Sequence, residues 1–246
     1  MNRIFCLLAL TMFSCAPLLA QPADAPAKKP AAKKPAATKT TTVAGTAHVR
    51  FLNAAPGAGA IDIYAREGEK IKTALPYRGM TDYTDVRSGK MALKVTATGK
   101  MEALITDAAT LTKDKWYSIA ICTNKATPMM MLVNESSGKD YPDKARVRVV
   151  NLVSGSDGVA VTKSSTRAAD GTANFLSKPV LFGTSASKTV KPMTETIQFR
   201  DTEGKLSKEM PDMKLDAGAR YSAFVIGKTG GTGDDAIDVI VKPAAK

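Results

Sequence analysis

The stretch "AHVRFLNAAPG" at 47–57 decides how this chain is organised, because a near copy of it, "ARVRVVNLVSG", stands at 145–155. Both stretches begin with Ala, carry Val-Arg at the third and fourth positions and Asn at the seventh, and end in Gly. The shift between Val49 and Val147 is 147 − 49 = 98 residues. Two copies of one domain would produce such a pattern, and a second landmark would establish it.

The second landmark lies near the far end of each copy. "LTKDKWYSIAI" at 111–121 corresponds to "LDAGARYSAFV" at 215–225, with Tyr-Ser and an apolar run in both. Tyr117 and Tyr221 are 221 − 117 = 104 residues apart, so the second copy has gained six residues between its landmarks. Two landmarks in the same order at nearly the same spacing predict a duplicated domain.

Each copy consists of short alternating or apolar segments, separated by turns such as "RSGK" and "ATGK". About seven strands in roughly 90 residues, without an amphipathic helix, are typical of a β-sandwich. We therefore predict an all-β fold of two tandem antiparallel, Ig-like sandwiches at 47–134 and 145–243, joined by the polar linker "ESSGKDYPDK" at 135–144. In the second copy, "SSTRAADGTANFLS" at 164–177 indicates a longer loop.

Both copies carry the pattern Leu-x-x-(Asp/Gly)-x-x-Tyr before the last apolar run. This pattern resembles a tyrosine corner, in which the hydroxyl reaches back to the backbone and fixes the crossing between two sheets. Tyr117 and Tyr221 are therefore predicted to be structural residues.

The N-terminus predicts export. A basic start is followed by the interrupted apolar run "IFCLLALTMFSCAPLLA", which ends at Ala20 before polar Gln21. This is typical of a secretory signal peptide at 1–20, cleaved between these two residues. Cys15 leaves a lipoprotein alternative open, which Phe13 disfavours because a small residue is required there. We expect a periplasmic protein.

Residues 21–46 are rich in Ala, Pro, Lys and Thr and hold no aromatic residue. Such a segment is typical of a disordered, solvated tether. It is also similar to Lys-Pro-Ala tails that bind nucleic acid, an alternative that export disfavours. Of the formal net charge of +12, residues 1–46 contribute +5 (six bases, one acid), which leaves +7 for the remainder. We expect an anionic partner such as a polysaccharide, no nucleic acid, and at most a peripheral contact with a membrane.

The inventory of reactive residues argues against an enzyme. A Ser-His-Asp enzyme needs a histidine to move protons, and the sole histidine, His48, has Arg146 at its matching position in the second copy. We predict no catalytic residue, no metal site, because no His/Cys cluster has zinc spacing, and no cofactor. "IGKTGGTGDD" at 226–235 lacks the first Gly and the following helix of a phosphate-binding loop. Loss of the signal peptide leaves only Cys122, so no internal disulfide is expected.

Methionine-copper binding is a further alternative, raised by "TPMMMLV". Adjacent residues of a strand point to opposite faces, so Met129 and Met131 would share one face and Met130 the other. Packing in the core or between the two domains is the favoured interpretation.

The best candidate for binding is "LPYRGMTDYTDVR" at 75–87, which contains Tyr77, Arg78, Tyr83 and Arg87. Aromatic faces next to guanidinium groups suit sugar rings that carry carboxylates, through stacking and bidentate hydrogen bonds. The alternative is that both tyrosines are half-buried strand residues.

Two resemblances follow from these motifs. The first copy, with Val-Arg-x-x-Asn, Asp62-Ile63-Tyr64 and Tyr-x-x-Val-x-x-Gly from Tyr83 to Gly89, resembles a family of bacterial surface domains of unknown function that often occur in tandem. From "MLVNESSGKDYPDKARVRVVNL" through "LDAGARYSAFVIG" to "DVIVKP", the chain resembles the alginate O-acetylation accessory protein (AlgF) family.

The second resemblance implies two β-sandwich domains and a non-catalytic role beside periplasmic and membrane proteins of polysaccharide O-acetylation. The leading hypothesis is therefore a periplasmic adaptor in the O-acetylation or export of an exopolysaccharide, such as alginate or cellulose. The alternative is a cell-surface binding or adhesion module with no link to acetylation.

Overall fold

A computed structural model describes residues 45–65, 68–164 and 174–244. The predicted signal peptide with its Ala20–Gln21 cleavage site, the predicted tether up to residue 44, and residues 165–173 of the long loop lie outside the described residues. In the described part of the chain, no helix is long and apolar enough to cross a membrane.

The first repeat has eight described strands in two sheets. The strands are β1 (Thr46–Ala54), β2 (Ile61–Ala65), β3 (Glu69–Leu75), β4 (Thr84–Arg87), β5 (Gly89–Ala97), β6 (Ala103–Leu111), β7 (Trp116–Asn124) and β8 (Thr127–Asn134). One sheet has the order β4-β1-β7-β8 and the other has the order β3-β2-β5-β6.

The second repeat follows the same plan with seven described strands. They are β9 (Ala145–Asn151), β10 (Ala160–Lys163), β11 (Ser185–Val190), β12 (Met193–Arg200), β13 (Leu206–Leu215), β14 (Arg220–Ile226) and β15 (Asp238–Pro243), with a 3-10 turn at Gly233–Asp235. The sheets are β11-β9-β14-β15 and β10-β12-β13. The order β11-β9-β14-β15 repeats β4-β1-β7-β8 strand for strand, and the predicted all-β sandwich fold is confirmed.

In the described residues, each repeat holds one parallel strand pair, whereas the strand pattern predicts antiparallel pairing throughout. β1 runs parallel to β7 with Val49 opposite Tyr117, and β9 runs parallel to β14 with Val147 opposite Tyr221. A parallel pair needs a long crossover connection, and the chain between β1 and β7 supplies it by building the second sheet. The two landmarks of each repeat therefore lie side by side.

The described residues form three apolar cores. One lies inside each sandwich, and its members alternate along the strands, as Val49 and Phe51 do in β1. The third core, here called the inter-repeat core, is formed by the opposite faces of the same central strands. Its buried members are Leu52, Ala54, Ala120, Cys122 and Val133 from the first repeat and Val150, Leu152, Phe224 and Ile226 from the second.

The two repeats therefore stack as four layers of sheet, with β4-β1-β7-β8 packed on β11-β9-β14-β15. Their central strands are buried on both faces, which explains their nearly continuous apolar sequences. All described residues belong to one compact unit. The methionines of β8 follow the predicted alternation, since Met129 and Met131 pack against the inter-repeat core and Met130 against the core of the first sandwich.

Candidate functional site

Among the residues that the structure describes, one buried carboxylate lies where the two repeats meet. Glu135 follows β8 directly and is 2% exposed. Its Oε1 accepts hydrogen bonds from Ser118 Oγ at 2.7 Å and Arg50 Nη2 at 3.1 Å. Its Oε2 accepts one from Ser222 Oγ at 2.5 Å and lies 3.8 Å from Arg148 Nη1. Both carboxylate oxygens are thus held by the two repeats together.

The groups that surround the two oxygens are repeat-related. Arg148 stands 148 − 50 = 98 residues after Arg50, and Ser222 stands 222 − 118 = 104 residues after Ser118. These are the spacings of the two landmarks. Each repeat therefore contributes the same Arg and Ser to one oxygen of the same carboxylate, which we call the Glu135 cluster.

Further arginines surround this cluster. Arg220 donates to the Glu135 carbonyl at 3.1 Å and to Asp140 Oδ1 at 2.5 Å, and Arg146 donates to the Ser137 carbonyl. Burial lowers the pKa of Arg148, an effect that the charge of Glu135 opposes. Four guanidinium groups face two carboxylates, so the region keeps an excess of positive charge.

Geometry gives the Glu135 cluster a structural role. The space beside it is only about 10 Å³, close to the smallest volume that admits one water molecule. Each carboxylate oxygen already has a hydroxyl donor and a guanidinium group. A general base needs reach to a substrate proton, and nothing larger than water reaches Glu135 here.

The predicted binding residue Arg78 forms a second contact between the repeats. Its guanidinium donates to the carbonyls of Asp234 at 2.6 Å and Ala236 at 2.8 Å and pairs with Asp238 at 3.4 Å. The Gly-rich stretch 226–235 is therefore a turn whose end receives an arginine of the first repeat. Neighbouring Tyr77 is half-buried, and burial raises the pKa of its hydroxyl.

The other two predicted residues lie elsewhere. Tyr83 packs edge-on against Trp116 at 4.7 Å between ring centroids, and Arg50 lies 4.6 Å from the centre of its ring. Arg87 is exposed and lines a cleft of about 370 Å³ between β3 and β4, the open edge of the first sandwich. The structure brings Tyr77 and Arg78 together but does not gather the four side chains at one place.

His48 lies in β1, where its ring stacks on an aromatic neighbour and one ring nitrogen contacts a carboxylate. Its Nδ1 is 2.6 Å from Asp85 Oδ1, and its ring stacks on Trp116 at 3.9 Å between centroids. In a catalytic triad the aspartate is buried behind the histidine, whereas the side chain of Asp85 is 72% exposed.

The two tyrosines of the corner pattern make equivalent contacts. Tyr117 Oη accepts a hydrogen bond from the N–H of Thr112 at 3.0 Å, and Tyr221 Oη accepts one from the N–H of Asp216 at 3.3 Å. In both repeats the bonded N–H belongs to the residue five positions earlier.

An open groove that the sequence did not predict lies on the outer face of the first sandwich. It measures about 340 Å³ and is lined by residues of β2 and β5 and of the β5–β6 turn, among them Tyr64, Ala92, Lys94, Thr96, Lys100 and Met101. The sequence signal was the outward alternation in these two strands, since Tyr64 and Lys94 are register partners.

A row of paired residues crosses the whole sheet at this groove. Tyr64 lies opposite Lys70 on one side and Lys94 on the other, and Lys94 lies opposite Thr106. Lys70 Nζ is 5.2 Å from the centre of the Tyr64 ring and 3.2 Å from Asp62 Oδ2. The pKa of the buried Asp62 is lowered, chiefly because the N–H of Ala74 donates to it. Among the described residues, no group of three metal-ligating side chains occurs.

Comparison with solved structures finds similarity over most of the chain at low identity. A carbohydrate-binding module, CBMbc of Eubacterium rectale Amy13K, solved with maltoheptaose, is 14% identical, with 82% of this chain and 98% of that chain covered and a TM-score of 0.26. A candidate cell-adhesion protein of Bacteroides uniformis is also 14% identical, with 82% of this chain and 98% of that chain covered and a TM-score of 0.25. A candidate cell-adhesion protein of Bacteroides fragilis is 11% identical, with 88% of this chain and 93% of that chain covered and a TM-score of 0.21. Likeness at this level carries no inference about function.

No curated protein matches the sequence. A family model does match, over the first repeat, the linker and the first strands of the second repeat. This agrees with the expected similarity of the first repeat to a domain family of unknown function. Residues 47–162 match DUF4397, a domain of unknown function.

Proposed function

We propose that this chain is an exported, non-catalytic binding module whose two fused repeats present one rigid surface to an extracellular polymer. The observation that carries the proposal is the Glu135 cluster. Of the five buried charged residues in the described part of the chain, Arg50, Glu135, Arg148 and Arg220 belong to this region, and the fifth is Asp62. Catalytic groups lie in clefts that a substrate can enter, whereas these groups join one repeat to the other.

The charge balance supports an anionic polymer as the partner. The chain after residue 46 has a net charge of +7, and a basic surface attracts polyanions over long range. The two outermost sheets, β3-β2-β5-β6 and β10-β12-β13, remain available for contact because the inner sheets pack on each other. Acidic polysaccharides are among the polyanions that an exported protein meets.

The test uses purified protein that begins at Gln21. Affinity electrophoresis through gels containing alginate, a polyuronate, is expected to retard the protein, and neutral dextran is expected to have little effect. Raising the salt from about 0.05 M to 0.5 M should weaken retardation, because exposed charges are screened more strongly. Absence of binding to any polysaccharide and to bacterial surfaces would refute the proposal.

Catalysis is tested with the same preparation. The protein is expected to show no hydrolysis of a simple acetyl ester and no acetyl transfer to the polymer. An enzyme that depends on a histidine base loses several orders of magnitude in rate without it. Ester turnover that disappears in His48→Ala would replace the binding proposal with an enzyme.

A second candidate function is that of an adaptor in exopolysaccharide O-acetylation, beside periplasmic and membrane acetylation proteins. The resemblance to the AlgF family from the linker onward supports it. Several residues within that resemblance, including Arg148, Arg220 and Ser222, belong to the region around Glu135, so the likeness concerns the way the repeats are joined. Deleting the gene and measuring acetyl groups per polymer tests this role. Reduced acetylation at unchanged polymer yield would support it, and unchanged acetylation would exclude it.

A further inference from the structure

We propose that the groove on the outer face of β3-β2-β5-β6 binds a sugar ring that carries a carboxylate. In this site Tyr64 would supply the stacking face, and Lys94 and Lys100 would bind the carboxylate. The inference rests on the proposed binding function and gives it a location and a ligand class. Its volume of about 340 Å³ lies within the range of small-molecule binding sites.

Tyr64 is held in place before any ligand arrives. Its ring is half-buried, with Lys70 Nζ 5.2 Å from the ring centre and its hydroxyl 3.5 Å from Asp62 Oδ2. Asp62 is itself fixed by the N–H of Ala74 at 2.8 Å and by Thr98 Oγ1 at 3.2 Å. A fixed aromatic ring loses little conformational freedom on binding, so its contact area is available to the ligand.

Charge in the groove selects an anion. Lys94 and Lys100 line it, and none of the lining residues that the structure describes is acidic. The nearest buried carboxylate, Asp62, already pairs with Lys70 at 3.2 Å. Two ammonium groups next to an aromatic ring suit a ligand with an apolar ring face and a carboxylate at its edge.

Two unsatisfied features of the groove point in the same direction. Thr96 is 1% exposed, and its hydroxyl has no hydrogen-bond partner among the described residues. A buried hydroxyl without a partner is costly, and a sugar hydroxyl would satisfy it. Met101 is 84% exposed, and a bound ring would cover part of its apolar surface. A sugar acid offers hydroxyls, an apolar face and a carboxylate in one unit.

The experiment measures binding of three probes to the mature protein by calorimetry. The probes are a uronate oligosaccharide, a neutral cello-oligosaccharide of the same length, and an oligo-glutamate peptide. The uronate is expected to bind tightest. Equal affinity for the neutral sugar would overturn recognition of the carboxylate, and equal or tighter binding of the peptide would assign the groove to an acidic peptide.

Variants locate the site. Tyr64→Ala and Lys94→Gln are each expected to weaken uronate binding about tenfold, the loss of one good stacking or charge-assisted contact. Tyr64→Phe keeps the ring and should bind nearly as wild type. Lys72→Gln is the matched control, because Lys72 is exposed on β3 of the same sheet outside the groove. Melting curves confirm that each variant is folded.

The outcomes separate the two proposals. Uronate binding that is unchanged in Tyr64→Ala and Lys94→Gln would overturn the groove as its site and leave the binding function standing. If the wild type binds neither the oligosaccharide nor the polymer, both the groove as a site and the binding function would be overturned.

Discussion

At Glu135 one carboxylate balances two buried arginines that the duplication placed at matched positions. Removing a carboxylate from water is expensive, and an ion pair offsets that cost only where further hydrogen bonds satisfy the remaining atoms. Ser118 and Ser222 provide those bonds at 2.7 and 2.5 Å. The two repeats therefore depend on each other for charge balance.

Cys122 gives a reporter at the same scale, because it is fully buried in the inter-repeat core. Burial raises the pKa of its thiol from the ordinary 9.0 to about 12. The thiolate is the reactive form, so native protein that begins at Gln21 should resist a thiol reagent such as DTNB at pH 8. The same protein unfolded in urea should react through one thiol, that of Cys122. Rapid labelling of the native protein would show that this core is open.

The same pKa shift predicts how stability responds to alkali. Above pH 9 an unfolded chain ionises Cys122, whereas the folded protein keeps its proton until about pH 12. The folded state then binds more protons, so the free energy of unfolding contributed by this group falls as pH rises through that window. Urea unfolding of wild type and Cys122→Ala should show the steeper fall in the wild type. If the free energy of unfolding falls equally steeply with pH in both proteins, the raised pKa of Cys122 would be wrong.

At the scale of elements, the central strands were predictable in type and the cluster that joins them was not. Matched landmarks and alternating segments located the strands and the sandwich fold. Glu135, however, stands in the polar stretch "ESSGKDYPDK", which has the composition of a solvated linker. Its burial arises from packing between repeats, about which local periodicity holds no information.

The role of the predicted binding residue Arg78 could not be predicted either, because its partners are distant along the chain. Arg78 has a sequence neighbourhood typical of a surface loop, yet its partners Asp234, Ala236 and Asp238 stand more than 150 positions later. One signal was available, since Arg50 and Arg148 recur in strands that are apolar on both sides. A buried cation needs a counter-charge, so a search for the acid was justified.

The hydroxyls of the two corner tyrosines are expected to stabilise their domains. Tyr117→Phe and Tyr221→Phe should each lower the free energy of unfolding by about 1–2 kcal/mol, through loss of a hydrogen bond to a backbone N–H. Tyr117 is expected to show the larger loss, because it is 3% exposed and its bond is shorter, at 3.0 Å against 3.3 Å. Urea denaturation measures both, with Tyr141→Phe in the exposed part of the linker as control. Unchanged stability in both variants would remove the corner role.

For the whole molecule, the structure describes a four-layer body in which the inner faces hold the repeats together and the outer faces carry the surface chemistry. The inter-repeat core, the Glu135 cluster and the contact of Arg78 with the turn before β15 all connect the same two sheets or their loops. The groove that contains Tyr64, on the outer face of β3-β2-β5-β6, lies on the opposite side of the first sandwich. Binding there would leave the joint between the repeats untouched.

Urea unfolding of Glu135→Gln, with the rate of Cys122 labelling followed in parallel, measures how far the joint between the repeats depends on this carboxylate. The substitution keeps the shape of the side chain and leaves Arg50 and Arg148 without a counter-charge. Breaking a buried ion pair on one side typically costs about 3–5 kcal/mol. Glu102→Gln makes the same chemical change at an exposed position and serves as control.

If the carboxylate joins the repeats, Glu135→Gln should lose stability on that scale and label Cys122 faster than both the control and the wild type. Stability within about 0.5 kcal/mol of the wild type, the range of ordinary surface substitutions, together with an unchanged labelling rate, would show that Glu135 does not hold the repeats together.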